Sequence, residues 1–177
     1  MHGILLKGLK EFAVESYGRD TWNRIREEAP VERKVYLPIE TYDDGELTAL
    51  AEAASAITGE STDEFLEAYG RAVCGRLLST YDNVVDEEWS AVDLIENLES
   101  DVHTALRSHN PKMDPPQVET QRSDGELVVR YDSHRNLCPV AKGLVHGVGD
   151  HYGENFVVTE RRCAREGAEH CELVLNY

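Results

Sequence analysis

Tyr131, Ser133 and Arg135 stand at alternate positions in the stretch RYDSHRNLCPVAKG. Side chains two apart on an extended strand share a face. The spacing therefore predicts that these three point one way while Asp132 and His134 point the other. Together they offer two O–H donors and a forked cation with five N–H donors. That set is a receptor for carboxylate or phosphate, with Arg135 able to bind bidentately. A helix follows, and its N-terminus adds a weak positive field. The spacing by itself also fits a solvated polar strand face.

A second residue changes the balance. His103 lies on the edge of an apolar stripe made by Val92, Ile95, Leu98, Val102 and Leu106. A lone histidine at a core margin is commonly structural. Imidazole is also a common ligand for haem iron. Haem makes one axial demand, which a histidine meets, and presents two propionates, which a Tyr/Ser/Arg cluster meets.

On these residues the chain resembles the haem-nitric oxide/oxygen binding (H-NOX) domains, a family related to the haem domain of soluble guanylate cyclase. Tyr131, Ser133 and Arg135 match its Tyr-x-Ser-x-Arg propionate motif. His103 matches its proximal histidine, and Pro116, of the pair Pro115-Pro116, matches its porphyrin-packing proline. YGRDTW near the start, GLVHG at 143–147 and REGAEH near the end are similar too, so the resemblance covers essentially the whole chain.

The resemblance implies haem b between a helical part and a sheet, with His103 as fifth ligand and a diatomic gas on the opposite face. It implies a distal wall of Leu5, Leu9, Val73, Leu77, Val140 and Leu144. In the family, nitric oxide weakens or breaks the iron–histidine bond, and the relaxing strain changes the surface offered to a partner. Oxygen-binding relatives carry a donor tyrosine five residues past the arginine. Val140 occupies that position here, and Tyr69 is the remaining source of a buried hydroxyl. The implied function is a nitric oxide sensor, with carbon monoxide as a further ligand, and not an enzyme. No cyclase, kinase or methyl-accepting segment is evident, so the output is expected to reach a separate protein. Family partners are histidine kinases, diguanylate cyclases and chemotaxis receptors.

Four cysteines are present. Cys74 sits in a helical pattern and reads as a small buried hydrophobe. Cys163 and Cys171 stand at opposite shoulders of the AREGAEH loop, and Cys138 starts a helix. With His170 they make three thiolates and an imidazole, a candidate structural zinc set. The alternatives are three buried thiols or a redox pair. Some H-NOX proteins resemble this closely, with zinc held by cysteines in this region. Glu160 and His134 are alternative fourth ligands to His170.

The elements that must position these residues come in two runs. Helical patterns cover 3–18, 20–29, 43–59, 61–81 and 90–108. Asp20 or Thr21 is the expected cap of the second, Asp43 with Glu46 of the third, and Ser61-x-x-Glu64 and Ser90-x-x-Asp93 of the last two. Strand patterns follow: VETQ and ELVVRYDS around Ser123-Asp124-Gly125, then FVVTERRC and CELVLNY around AREGAEH, with one helix inserted between the pairs. This is an α+β layout in one domain, 1–177: an N-terminal helical part, then an antiparallel sheet with an inserted helix.

Composition narrows the function classes. The net charge is −16, with 34 acidic residues against five lysines and thirteen arginines. That disfavours nucleic acid or an anionic membrane surface as partner, and scarce lysine among many acids fits either a high-salt surface or an ordinary acidic one. No apolar run is long enough for membrane insertion, and MHGILLKGLKEF lacks a signal-peptide layout, so a cytoplasmic protein is expected. No zinc-protease, nucleophile-elbow, phosphate-loop or dinucleotide motif appears. The rival to a haem sensor is a non-haem regulatory domain of related fold that binds zinc or a small organic molecule.

Overall fold

The computed structural model describes residues 1–32, 34–111 and 113–177. Four helices open the chain: α1 (Gly3–Tyr17), α2 (Arg19–Glu28), α3 (Gly45–Thr58) and α4 (Thr62–Thr80). Two expected caps are corrected. α2 starts at Arg19 directly after Gly18, with no side-chain cap, so Asp20 and Thr21 fall inside its first turn. At α3 the cap position is Asp44; Asp43 accepts from the Gly45 N–H at 2.8 Å, while Glu46 turns inward to Lys34 and Tyr36. α4 opens with the Ser61/Glu64 capping box as its spacing predicts.

Ser90 and Asp93 form a second capping box at the start of α5 (Ala91–Glu96). The predicted single helix over 90–108 does not continue. A π-helical turn spans Leu98–His103, and α6 (Thr104–His109) completes the segment. A π turn inserts one residue into the helical repeat. The apolar spacing before and after it still reads as helical, which is why periodicity does not reveal it.

Four strands make one antiparallel sheet: β1 (Gln117–Ser123), β2 (Glu126–Asp132), β3 (Val157–Arg162) and β4 (Cys171–Asn176), in the order β1-β2-β4-β3. Asp124-Gly125 turns the first hairpin, with Ser123 paired to Glu126 and Gly125 at φ 73°. α7 (Cys138–Tyr152) is the helix inserted between β2 and β3. It lies backbone to backbone on α4. A Cβ at Gly143 would stand 2.0 Å from the Glu67 carbonyl oxygen, and one at Gly70 would stand 2.3 Å from that of Val140. Glycine permits this approach because it has no Cβ.

The buried residues form two main cores. One joins α1–α4, with Leu6, Leu9, Phe65 and Tyr69 fully inside. The other joins α5, α7 and the inner face of the sheet, around Leu94, Leu127 and Leu173. Leu144 of α7 packs against both. A cavity of about 310 Å³ opens between them. No helix among the described residues is long and apolar enough to cross a membrane.

Candidate haem site

His103 ends the π turn, 7 % exposed, with its ring on the cavity. Its Nδ1 lies 3.0 Å from Oε2 of Glu99, one turn earlier. Burial acts to raise the Glu99 carboxyl, but Arg107 and His103 outweigh it and hold the group below its ordinary value. An ionised carboxylate only accepts hydrogen bonds, so Nδ1 carries the proton and Nε2 keeps its lone pair. Burial holds His103 itself below its usual value, against the pull of Glu99. The imidazole is therefore neutral at pH 7, the form that ligates metal.

At the sheet side, Tyr131, Ser133 and Arg135 all line the same cavity. Tyr131 lies on β2, 8 % exposed, between Val118 of β1 and Cys171 of β4. Burial raises its hydroxyl, partly offset by Ser133. The strand ends at Asp132, so alternation stops short of Arg135. Residues 133–136 instead make a turn, closed by Asn136 N–H to the Ser133 carbonyl at 3.1 Å, with Asn136 at φ 51°. One part of the strand-face expectation therefore fails. His134 does not oppose Arg135; both reach Asp44, at 2.9 Å each. Asp132 does point away and is exposed.

Arg135 is aimed by acceptors. Its Nε donates to Asp44 Oδ1 at 2.9 Å, Nη1 to the Asp114 carbonyl at 2.7 Å and Nη2 to Asp114 Oδ2 at 3.2 Å. Asp44 also contacts the Met1 amino group. Burial pushes the Asp44 carboxyl up, but hydrogen bonds from that amino group, Arg135 and His134 prevail and hold it far below the carboxylate range.

The rest of the wall is mostly apolar. Pro116, Leu5, Leu77, Val140 and Leu144 line the cavity as expected. Leu9 and Val73 do not. They sit in the helical core, where Val73 packs against Gly8, with 2.6 Å from its Cγ2 to a Cβ built there. Ile4 of α1 and Cys74 and Leu78 of α4 take the wall positions instead, a rotation of those two helices that spacing does not specify. Burial pushes the Cys74 thiol up to about 12, consistent with a small hydrophobe. Tyr69 is spent, its hydroxyl donating to the Leu5 carbonyl at 2.8 Å. His2 and Tyr81 also line the cavity and were not foreseen. A histidine beside the first methionine and a tyrosine just past a helix end carry no periodic signal.

The donor set fits haem: a neutral imidazole that could ligate its iron, apolar walls for its ring, and a phenol, a hydroxyl and a guanidinium at one side for its two carboxylates.

Behind Tyr131, a third cluster joins Cys138, Cys163 and Cys171. Their sulfurs lie within 4.8 Å of one another, all buried. The sulfurs of Cys138 and Cys171 are in bonding contact, and Cys163 lies 3.9 and 4.0 Å from them. His170 is not part of this set. It lies in the bend just before β4. His134 is committed to Asp44. Burial raises the Cys163 thiol, and the adjacent Glu160 carboxylate raises it further.

The chain is similar to known proteins along most of its length. The family model for haem-NO-binding domains matches residues 2–160. Soluble guanylate cyclases 89Da and 89Db of Drosophila melanogaster are 28 % and 27 % identical over 139 residues, 76 % of this chain. The chain spans about a fifth of the length of those relatives, 20 % of each. Among solved structures, an H-NOX protein from S. oneidensis in the Fe(II)NO state superposes with a TM-score of 0.91 at 24 % identity, covering 99 % of this chain and 98 % of that one. The unliganded Fe(II) H-NOX protein from K. algicida gives 0.89 at 20 % identity, covering 99 % and 96 %.

Proposed function

The chain belongs to the haem-NO-binding family, and from that premise we propose that it is a haem-based nitric oxide sensor that signals to a separate protein. One observation carries the reading: a neutral His103, held through Nδ1 by Glu99, and the Tyr131/Ser133/Arg135 set converge on one apolar cavity. Bound haem b supplies an iron that ligates diatomic gases. His103 would hold the haem iron, and Tyr131, Ser133 and Arg135 would hold its carboxylates, while Asp44 and Asp114 keep the guanidinium aimed. Pro116 packs from the loop before β1. Leu5, Leu77, Val140 and Leu144 exclude water from the gas side. Nitric oxide is the preferred ligand, with carbon monoxide as a second. The domain, 1–177, has no catalytic role of its own. Its partner is a histidine kinase, diguanylate cyclase or chemotaxis receptor in the cytoplasm, as in the family.

The test is an absorbance spectrum of the chain produced with sufficient haem. A Soret band that His103→Gly alters, and that added imidazole restores, supports the reading. Its absence favours a non-haem regulatory domain.

The cysteine cluster supports a second binding event. Cys138, Cys163 and Cys171 as thiolates would hold one zinc ion. The bond between Cys138 and Cys171 is the oxidised alternative. Protein purified under reductant and without chelator should carry about one zinc per chain, as closed structural sites do. Metal-free protein with three titratable thiols would refute it.

A further inference from the structure

Glu99 stands where three elements meet. On the π turn, its Oε2 faces His103 Nδ1 at 3.0 Å. From β1, the Val118 N–H donates to the same oxygen at 3.2 Å. From α6, Arg107 Nη1 donates to Oε1 at 2.7 Å. We propose that Glu99 is a positioning residue that sets the direction and donor strength of His103, and thereby how firmly the iron keeps its histidine when a gas binds. This inference rests on the haem-sensor reading above.

The physical argument starts from the imidazole. A carboxylate accepting from one ring N–H fixes the tautomer and makes the other nitrogen more basic. A more basic His103 is harder to displace from iron. The three-way grip matters because a carboxylate free to swing to solvent would do neither. Val118 and Arg107 prevent that swing. Arg107 also draws negative charge away from the side facing His103, so it moderates the effect it helps to position. The two residues therefore act with opposite sign on His103. The π turn carries both the carboxylate and the imidazole, and the imidazole faces the cavity.

The test uses the full chain carrying haem. Glu99→Gln keeps an oxygen for the Val118 N–H and nearly the same volume but removes the charge. In the ferrous protein its iron–histidine stretching frequency should fall and its midpoint potential should rise. Arg107→Gln should shift both in the opposite directions. A merely structural role would shift both variants the same way and would overturn the proposal. A second measurement isolates the hydrogen bond. In His103→Gly, imidazole and 1-methylimidazole are titrated with and without Glu99→Ala, which removes the acceptor altogether. Imidazole affinity should drop roughly 10-fold or more, the usual effect of losing such a partner. 1-Methylimidazole has no N–H to donate, so its affinity should not respond. Equal losses for both ligands overturn the proposal, as does an unchanged frequency in Glu99→Gln. Wild-type protein with no His103-dependent haem spectrum would defeat the sensor reading and this inference together. A normal spectrum indifferent to Glu99 defeats the inference alone.

Discussion

Arg135 carries the strongest single claim on an anionic group in this chain. Its guanidinium side chain is 14 % exposed and already oriented by Asp44 and Asp114. A hydrogen bond to a charged group contributes roughly 1.5–3 kcal/mol. Arg135→Ala should therefore weaken haem retention about 10- to 100-fold, measured by transfer to an apo-globin acceptor. Asp132→Ala should leave retention at wild type, because Asp132 ends β2 on the other face. Equal retention in the two variants would sink the assignment of Arg135. The same scale decides oxygen. Bound oxygen needs a donor, and Val140, Leu144, Leu77 and Leu5 supply none. Tyr69 is spent on the Leu5 carbonyl. Apart from His103 and the Tyr131/Ser133/Arg135 set, Tyr81, His2 and Thr41 are wall residues with O–H or N–H donors. The reduced protein should form no lasting oxygen complex in air, and Tyr81→Phe should change nothing. A stable complex that Tyr81→Phe or His2→Leu abolishes would identify the missing donor and end the nitric oxide preference. Spacing singled out His103, Tyr131, Ser133 and Arg135 without deciding their role, which only the family resemblance supplied. Asp44 and Asp114 were not legible, because contacts across 91 and 21 residues leave no pattern.

At the scale of elements, the capping boxes were legible and the break before His103 was not. Ser90-x-x-Asp93 is a local code whose partners lie three residues apart. The π turn depends on how α5 and β1 pack, which a one-dimensional period cannot carry. The rotation that swaps Leu9 and Val73 for Ile4 and Cys74 has the same origin. The Ser90 box supports a prediction with a sign. The Ser90 hydroxyl and backbone N–H, with Arg122, hold the Asp93 carboxyl down to about 2. Its folded value is thus below its unfolded value near 4. The contribution is present above about pH 4 and is lost as pH falls toward 2. Ser90→Ala should cost about 1 kcal/mol at pH 7, read from urea midpoints. That gap should shrink between about pH 4 and pH 2. A gap that stays constant down to pH 2 would mean that the box does not act through the Asp93 charge.

For the whole molecule, excess negative charge sets the response to salt. The chain carries 34 acidic and 18 basic residues. Some acids have partners: Arg71 meets Asp150 at 2.5 Å and Arg165 meets Asp63 at 2.7 Å, both pairs half exposed. Exposed pairs of this kind contribute about 0–1 kcal/mol each. The unpaired surplus of −16 repels itself throughout the folded surface. Raising salt shortens the screening length from about 10 Å at 0.1 M to about 3 Å at 1 M. Screening removes both effects, and the larger one decides the sign. With so large a surplus, repulsion is the larger, so Tm should rise from 0.1 to 1 M KCl at pH 7. The same titration near the isoelectric point of 4.8 supplies the control. There the surplus has been neutralised by protonation, so the rise should flatten or reverse as the remaining pairs are screened. Equal slopes at the two pH values would assign the effect to the salt's action on apolar surface instead of to charge. A falling Tm at pH 7 would show that the ion pairs outweigh the repulsion.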